Sequence, residues 1–439
     1  MKYSTLCILF LIPLFAATQS RSAQHQLAEM IESSPVFSHI FSGFVLFDPE
    51  TGDTLYQHDG HKYFTPASNT KIFTFYTSLN VLGDSLPALR YVCRNDTLIF
   101  WGTGNPLFLH PEMPHDSSLT AFLRDRPEKL FFSPHNYPEE RYGPGWSWRD
   151  YEYAYQVEKS PLPIYGNVVR FTRDSLQLGF EVHPPRFYRH LMFRPMTEGE
   201  RPYVRRQEHA NTFEYNPLVF TGLPFEQWVP FQTRPALVAK LLSDTLKREV
   251  NLLSVDGFNA HPIHTLSLPL PDTLYRRLMQ DSDNFIAEQL LLLCSDKLFG
   301  LQDTRKTISY AIDSLFQDAP DPLNWRDGSG LSRYNLFTPR TVVHLLHELY
   351  RQLDRDRLLN IFPAGGVSGT IEEWYGGEEE PYVFAKTGTL SNKHCLSGYL
   401  ITDSDRTLIF SFMHNNYTGS SRPVKEEMEK VLDMIRQRY

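Results

Sequence analysis

The chain has 439 residues, with 43 Lys and Arg against 51 Asp and Glu and a net charge of −8. That balance argues against a nucleic-acid binder, which would present a basic face to phosphate. Four cysteines, Cys7, Cys93, Cys294 and Cys395, carry no zinc-like or redox spacing, so nothing requires a disulfide among the last three.

In chain order, residues 1–20 place Lys2 ahead of an apolar run from Leu6 to Phe15, followed by small and polar residues. This is the pattern of a secretory signal peptide, too short to span a bilayer, and it directs the protein to the periplasm. Cys7 lies inside the apolar run rather than after it, which argues against a lipid anchor. No later segment is apolar and long enough to cross a membrane. Gly43 to Tyr56 alternates as a hairpin with a turn near Asp48-Pro-Glu-Thr-Gly52.

From Ile72 the apolar residues fall at 72, 73, 75, 76, 79 and 82, a helical period that Gly83 is placed to end. Ser68 and Lys71 then share one face of the opening turn. A serine hydroxyl is a poor nucleophile until a neighbouring base takes its proton, and a neutral amine in reach can do so. The free backbone N–H at Ser68 suits a developing oxyanion. A serine cap followed by a solvated lysine would give the same tetrapeptide.

The separation from Ser68 to Ser282 far exceeds one helical crossover. An insert from about residue 86 to 263 explains it, rich in proline, aromatics and short alternating runs such as Asp96-Thr-Leu-Ile-Phe-Trp101, and so mainly β. Within it Arg186, Arg189, Arg194, Arg201, Arg205 and Arg206 read as solvated strand faces rather than a site for anionic polymer. His261 and His264 raise the thought of zinc, but no His-Glu-x-x-His and no third ligand accompany them, so no metal is expected.

Next comes Ser282-Asp-Asn284 ahead of an apolar helical run. A serine here can relay protons between lysine, nucleophile and leaving group, and the asparagine can hold the lysine and a substrate amide. A plain cap cluster would look the same. Then Lys386-Thr-Gly388-Thr389 sits in an alternating strand, and Leu396–Ile401 and Thr407–Met413 continue an antiparallel meander that turns at Asp403-Ser-Asp405. Lys386 and Thr387 would grip a terminal carboxylate, Gly388 would let a substrate backbone approach, and Thr389 would supply the second oxyanion N–H. A helix closes the chain from about Pro423 to Arg438.

The three motifs in this order resemble the D-alanyl-D-alanine carboxypeptidase/endopeptidase family, the class C low-molecular-mass penicillin-binding proteins. The segments Asp327-Gly-Ser-Gly-Leu-Ser-Arg333-Tyr-Asn335, Ala364-Gly-Gly-Val-Ser-Gly-Thr370, Gly145-Trp-Ser-Trp148 and Gly102-Thr-Gly-Asn-Pro106 are also similar to family landmarks. The chain departs from the pattern at Asn105, usually Asp, and at Leu266-Ser-Leu-Pro-Leu-Pro271. The resemblance implies an α+β fold: a β-lactamase/transpeptidase-like catalytic domain over 23–85 and 264–439, helices on an antiparallel sheet, interrupted by the insert. It implies hydrolysis of peptidoglycan stem peptides through an acyl-enzyme on Ser68, with no cofactor, and covalent inhibition by β-lactams. Arg333 is expected to read a carboxylate upstream of the D-Ala pair. A β-lactamase would share the motifs, but no Glu-x-x-x-Asn pattern accompanies them here. A non-catalytic wall-binding protein would need no intact motifs.

Overall fold

The computed structural model describes residues 22–439 except 115, 175–178, 197–200, 222, 254–261 and 378–379. The signal peptide, with Cys7, and His261 lie outside the described residues. The chain divides into two compact units. The first comprises residues up to Tyr76, Tyr275–Ser282 and Ile312–Tyr439; the second comprises Thr77–Leu274 and Asp283–Ala311.

The first unit is built on a five-stranded antiparallel sheet in the order 383–390, 393–401, 407–415, 41–48, 53–58. Strands from both ends of the chain therefore lie side by side, Phe44 opposite Phe412 and Lys386 opposite Ser397. The strands Lys393–Ile401 and Thr407–Asn415 are buried almost throughout instead of on alternate residues. A sheet covered on both faces produces that pattern. One cover is the closing helix Arg422–Arg438, whose buried Val424, Met428, Val431, Leu432 and Ile435 repeat at helical spacing and join Phe44, Phe410 and Phe412 in one core. The helix Pro339–Gln352 packs on the sheet too, where Tyr399 Oη donates to Leu346 O at 2.8 Å. It starts with Pro339 in its first turn and Thr338 as N-cap, accepting from Thr341 N.

The second unit holds a mixed five-stranded sheet in the order 250–252, 129–132, 97–101, 85–94, 264–269, and two three-stranded sheets. Phe100, Phe132, Leu162, Phe171, Phe213 and Phe231 fill its core. Three stretches fall differently from the boundaries read off the sequence, the first being residues 77–85, which belong to this unit and not to the opening catalytic segment. His264–Pro269, placed at the start of the returning catalytic segment, pairs antiparallel with Ser85–Arg94, and ladder hydrogen bonds bind it to that sheet. Residues 283–311 also belong to this unit; in them every residue of the helix Asn284–Phe299 from Phe285 to Asp296 is buried. A helix buried on all sides lies in a core rather than on a surface, and its polar Gln289 and Asp296 are met there by Ser160 O and Arg90. Arg206 is a correction to the solvated reading: fully buried, its guanidinium donates to the carbonyls of Pro230, Gln207 and Glu208. Arg205, by contrast, lies half-exposed against Glu152.

Candidate active site

Ser68 sits in a single 3₁₀ turn, Ala67–Asn69, that runs directly into the helix Thr70–Leu82. Ala67 has φ +47°, a left-handed conformation that a residue with a Cβ adopts at some cost, so packing must hold the turn. Gly330, at φ +85°, lies so close that a Cβ there would meet Ala67 O at 1.9 Å. Gly388 is as tight: a Cβ would come within 2.4 Å of Pro66 O and 3.1 Å of Ser68 N. The backbone that approaches Gly388 is therefore the protein's own serine-bearing turn. Asn69, fully buried, pins the turn to the Lys386-Thr-Gly strand: its Nδ2 donates to Lys386 O at 2.7 Å, and its Oδ1 accepts from Ser397 Oγ at 2.7 Å.

Lys71 is fully buried. Its Nζ donates to Ser329 O at 2.7 Å and lies 2.9 Å from Ser68 Oγ. Ser329 O is delivered by a loop wound around buried Asp327, which accepts from Gly330 N at 3.0 Å, Ser332 N at 2.6 Å and Asn335 Nδ2 at 2.6 Å. Thr74, one turn along the helix from Lys71, donates to Gly328 O at 2.7 Å and holds the same loop.

Lys386 is also fully buried, its Nζ donating to Thr387 O at 3.0 Å. Burial, and then the charge of Lys71, hold its ammonium well below the usual lysine range, while Asp281 partly opposes them. Thr387 Oγ1 donates to Thr370 Oγ1 at 2.6 Å, and Thr370 N donates to Gln280 O at 3.2 Å. Gly369, at φ +64°, leaves no room for a Cβ against Gln280 O. This chain of contacts ties the strand to the segment that ends in Ser282. Ser282 itself is left-handed, φ +60°, and half-exposed.

Thr389 is exposed, and its Oγ1 lies 3.0 Å from Nδ1 of buried His394, its cross-strand partner. Arg333 is exposed, with no ion pair among the described residues, and its charge helps to lower the Lys393 ammonium, after burial. Asn284 stands in the second unit, where it opens the helix after the N-cap Asp283 and donates from Nδ2 to Tyr155 O at 2.8 Å. Within the first unit the structure thus joins Ser68, Lys71, Lys386 and Gly388, and links Ser282 to Thr387 through Gln280 and Thr370. Sequence reasoning did not single out Asn69 and Thr370, which bond groups far away in the chain, or Asp327, which winds its own loop by bonding Gly330 N, Ser332 N and Asn335 Nδ2. Among the described residues no group of three His, Cys, Asp or Glu could hold a metal ion, and Cys93, Cys294 and Cys395 are free thiols.

D-alanyl-D-alanine carboxypeptidase DacB of Haemophilus influenzae is 23% identical to this chain, over 99% of it and 96% of the relative. The D-alanyl-D-alanine carboxypeptidase of Actinomadura sp. (strain R39) is 28% identical, over 89% of the chain and 80% of the relative. The crystal structure of H. influenzae penicillin binding protein 4 (dacB) superposes with a TM-score of 0.75 at 21% identity, covering 94% of this chain and 99% of that one. A second structure of that protein, complexed with a β-lactam, gives a TM-score of 0.66 at 20% identity, over 93% and 98%. The fold is thus the α+β arrangement of these proteins. Residues 23–439, nearly the whole chain, match the D-Ala-D-Ala carboxypeptidase 3 (S13) family, and the chain belongs to that family of hydrolases.

Proposed function

We propose that this carboxypeptidase cleaves the terminal D-Ala-D-Ala bond of peptidoglycan stem peptides through an acyl-enzyme on Ser68, in the periplasm after export. The observation that carries this reading is the Lys71 amine, buried, 2.9 Å from Ser68 Oγ and donating to Ser329 O at 2.7 Å. A neutral amine with one N–H committed to a carbonyl keeps its lone pair for the serine proton. Ser68 Oγ then attacks the carbonyl of the penultimate D-Ala, and the oxyanion rests on the N–H groups of Ser68 and Thr389. Ser282 passes a proton to the departing D-alanine amine. Lys386 and Thr387 hold the terminal carboxylate, whose arrival restores the charge that burial disfavours on Lys386. Water releases the acyl group. Arg333, exposed and without an ion pair among the described residues, is placed to take a second carboxylate on the stem peptide. Asn284 is given no step.

The same chemistry applies to a D,D-crosslink, whose acyl donor is also D-alanine, so endopeptidase activity is a second expected activity. The first unit carries this chemistry in the proposal, with the second as the insert. Among the described residues no helix is long and apolar enough to cross a membrane. The β-lactam ring presents an acyl group in the place of the D-Ala-D-Ala bond, so penicillins should acylate Ser68. Fluorescent penicillin should label the purified protein covalently, and Ser68→Ala should abolish labelling with an unchanged circular dichroism spectrum. Undiminished labelling of that variant would sink the assignment.

A further inference from the structure

His394 occupies a position that the mechanism above does not use. It is fully buried at the start of the strand Lys393–Ile401, directly opposite Thr389, with Nδ1 3.0 Å from Thr389 Oγ1. Its other ring nitrogen, Nε2, is buried and meets no hydrogen-bond partner among the described residues. Burial, and then the charge of Lys425, push the imidazole down to about 3, so the ring is neutral and carries one proton. That proton has two possible seats. On Nε2 it would be a buried N–H with no acceptor, the orphan that folded proteins tolerate least. On Nδ1 it faces Thr389 Oγ1, and Nε2 is left as a bare lone pair.

The choice decides what Thr389 can do. A threonine hydroxyl has one proton to give. If Nδ1 accepted, Thr389 would spend its proton on His394 and turn oxygen lone pairs outward. If Nδ1–H donates, the Thr389 proton is free. Side chains two apart on a strand point to one face, so Thr389 shares its face with Thr387. We propose that His394 is a positioning residue: its Nδ1–H donates to Thr389 Oγ1 and so turns the Thr389 hydroxyl proton toward the substrate's terminal carboxylate. This rests on the reading that the strand Val383–Leu390 grips that carboxylate.

The ring can be examined directly. In a long-range ¹H–¹⁵N spectrum of the whole ¹⁵N-labelled protein, the signals lost in His394→Asn identify the ring, and Nδ1 should be the protonated nitrogen. His394→Leu, which keeps bulk but no donor, should raise KM for a peptide ending in D-Ala-D-Ala about tenfold, with a smaller change in kcat. His394→Asn, whose amide N–H can stand in for Nδ1–H, should return KM to within about threefold of wild type. A proton on Nε2, or equal KM losses in the Leu and Asn variants, would overturn the proposal. Failure of the underlying carboxylate reading looks different: Lys386→Met and Thr387→Val would leave KM unchanged, and the role of His394 would fall with it.

Discussion

Lys159 in the second unit and Lys386 in the first are both buried lysines, 3% and 0% exposed, and they are satisfied in opposite ways. Lys159 forms an ion pair with Glu139, itself bonded by Thr304 N. Arg90 and Asp296 close on each other in the same unit at 2.8 Å, with Asn136 adding a bond. Among the described residues Lys386 has only a carbonyl for its ammonium, and the charge that weighs most on it is another cation, Lys71. Burying a charge is unfavourable unless a partner is buried with it. Two buried amines that cannot both stay charged are therefore a place where the fold has not been optimised for stability, and they call for a ligand that brings negative charge.

The comparison breaks most visibly at Lys71. Lys71→Arg keeps the charge but cannot act as a base, so acylation by penicillin should fall on the order of a thousandfold or more. Lys386→Arg should retain a measurable fraction, because the task proposed for it is to present positive charge. Equal impairment in stopped-flow acylation would mean that the two lysines do not divide the work as stated.

On the structural side, Lys159→Met leaves Glu139 buried without its cation. It should destabilise the protein by about 3–5 kcal/mol, read as a large drop in denaturation midpoint. A loss below about 1 kcal/mol would show that the pair in the second unit is no better compensated than the lysines of the first.

Arg333→Ala tests the outer reach of the site. It should lower kcat/KM about tenfold, roughly 1.4 kcal/mol, for a stem peptide whose third residue carries a side-chain carboxylate. Acylation by a small penicillin without that group should hardly change. Parallel losses on both would assign Arg333 to structure.

The smallest effect has the clearest sign. Because burial depresses the Lys386 ammonium, the unfolded chain binds more protons than the folded one between the depressed value and the ordinary 10.5. Stability is therefore reduced at neutral pH, and it rises as pH climbs through that window. Lys386→Met should melt above wild type at pH 7, with the gain shrinking toward pH 10, while peptide hydrolysis is lost. A variant that melts lower at every pH would show that Lys386 holds the fold together.

Several elements are legible in the amino-acid order alone. The period of Ile72 to Leu82 marks the helix, which runs Thr70–Leu82, and β-rich composition marks the strands that flank Asp403-Ser-Asp405. Local side-chain chemistry could not show that Asp327 organises the loop that delivers Ser329 O to Lys71, because every acceptor and donor involved is backbone or a nearby small polar side chain. Nor could composition separate Arg206 from Arg205: adjacent strand residues face opposite sides, and which side is buried depends on the sheet that covers them.

The order and spacing of Ser68-x-x-Lys71, Ser282-Asp-Asn284 and Lys386-Thr-Gly388 pointed to the family, because its motifs are functional groups written residue by residue. Which groups touch was decided only by the fold. Gly388 meets the serine turn, Asn69 bonds the Lys386 carbonyl, His394 meets Thr389, and His264–Pro269 joins the sheet of the second unit. Except for the His394–Thr389 hairpin pair, these contacts join residues more than a hundred positions apart. Such distances close only when the sheet brings both ends of the chain into register, and local sequence carries no record of that register.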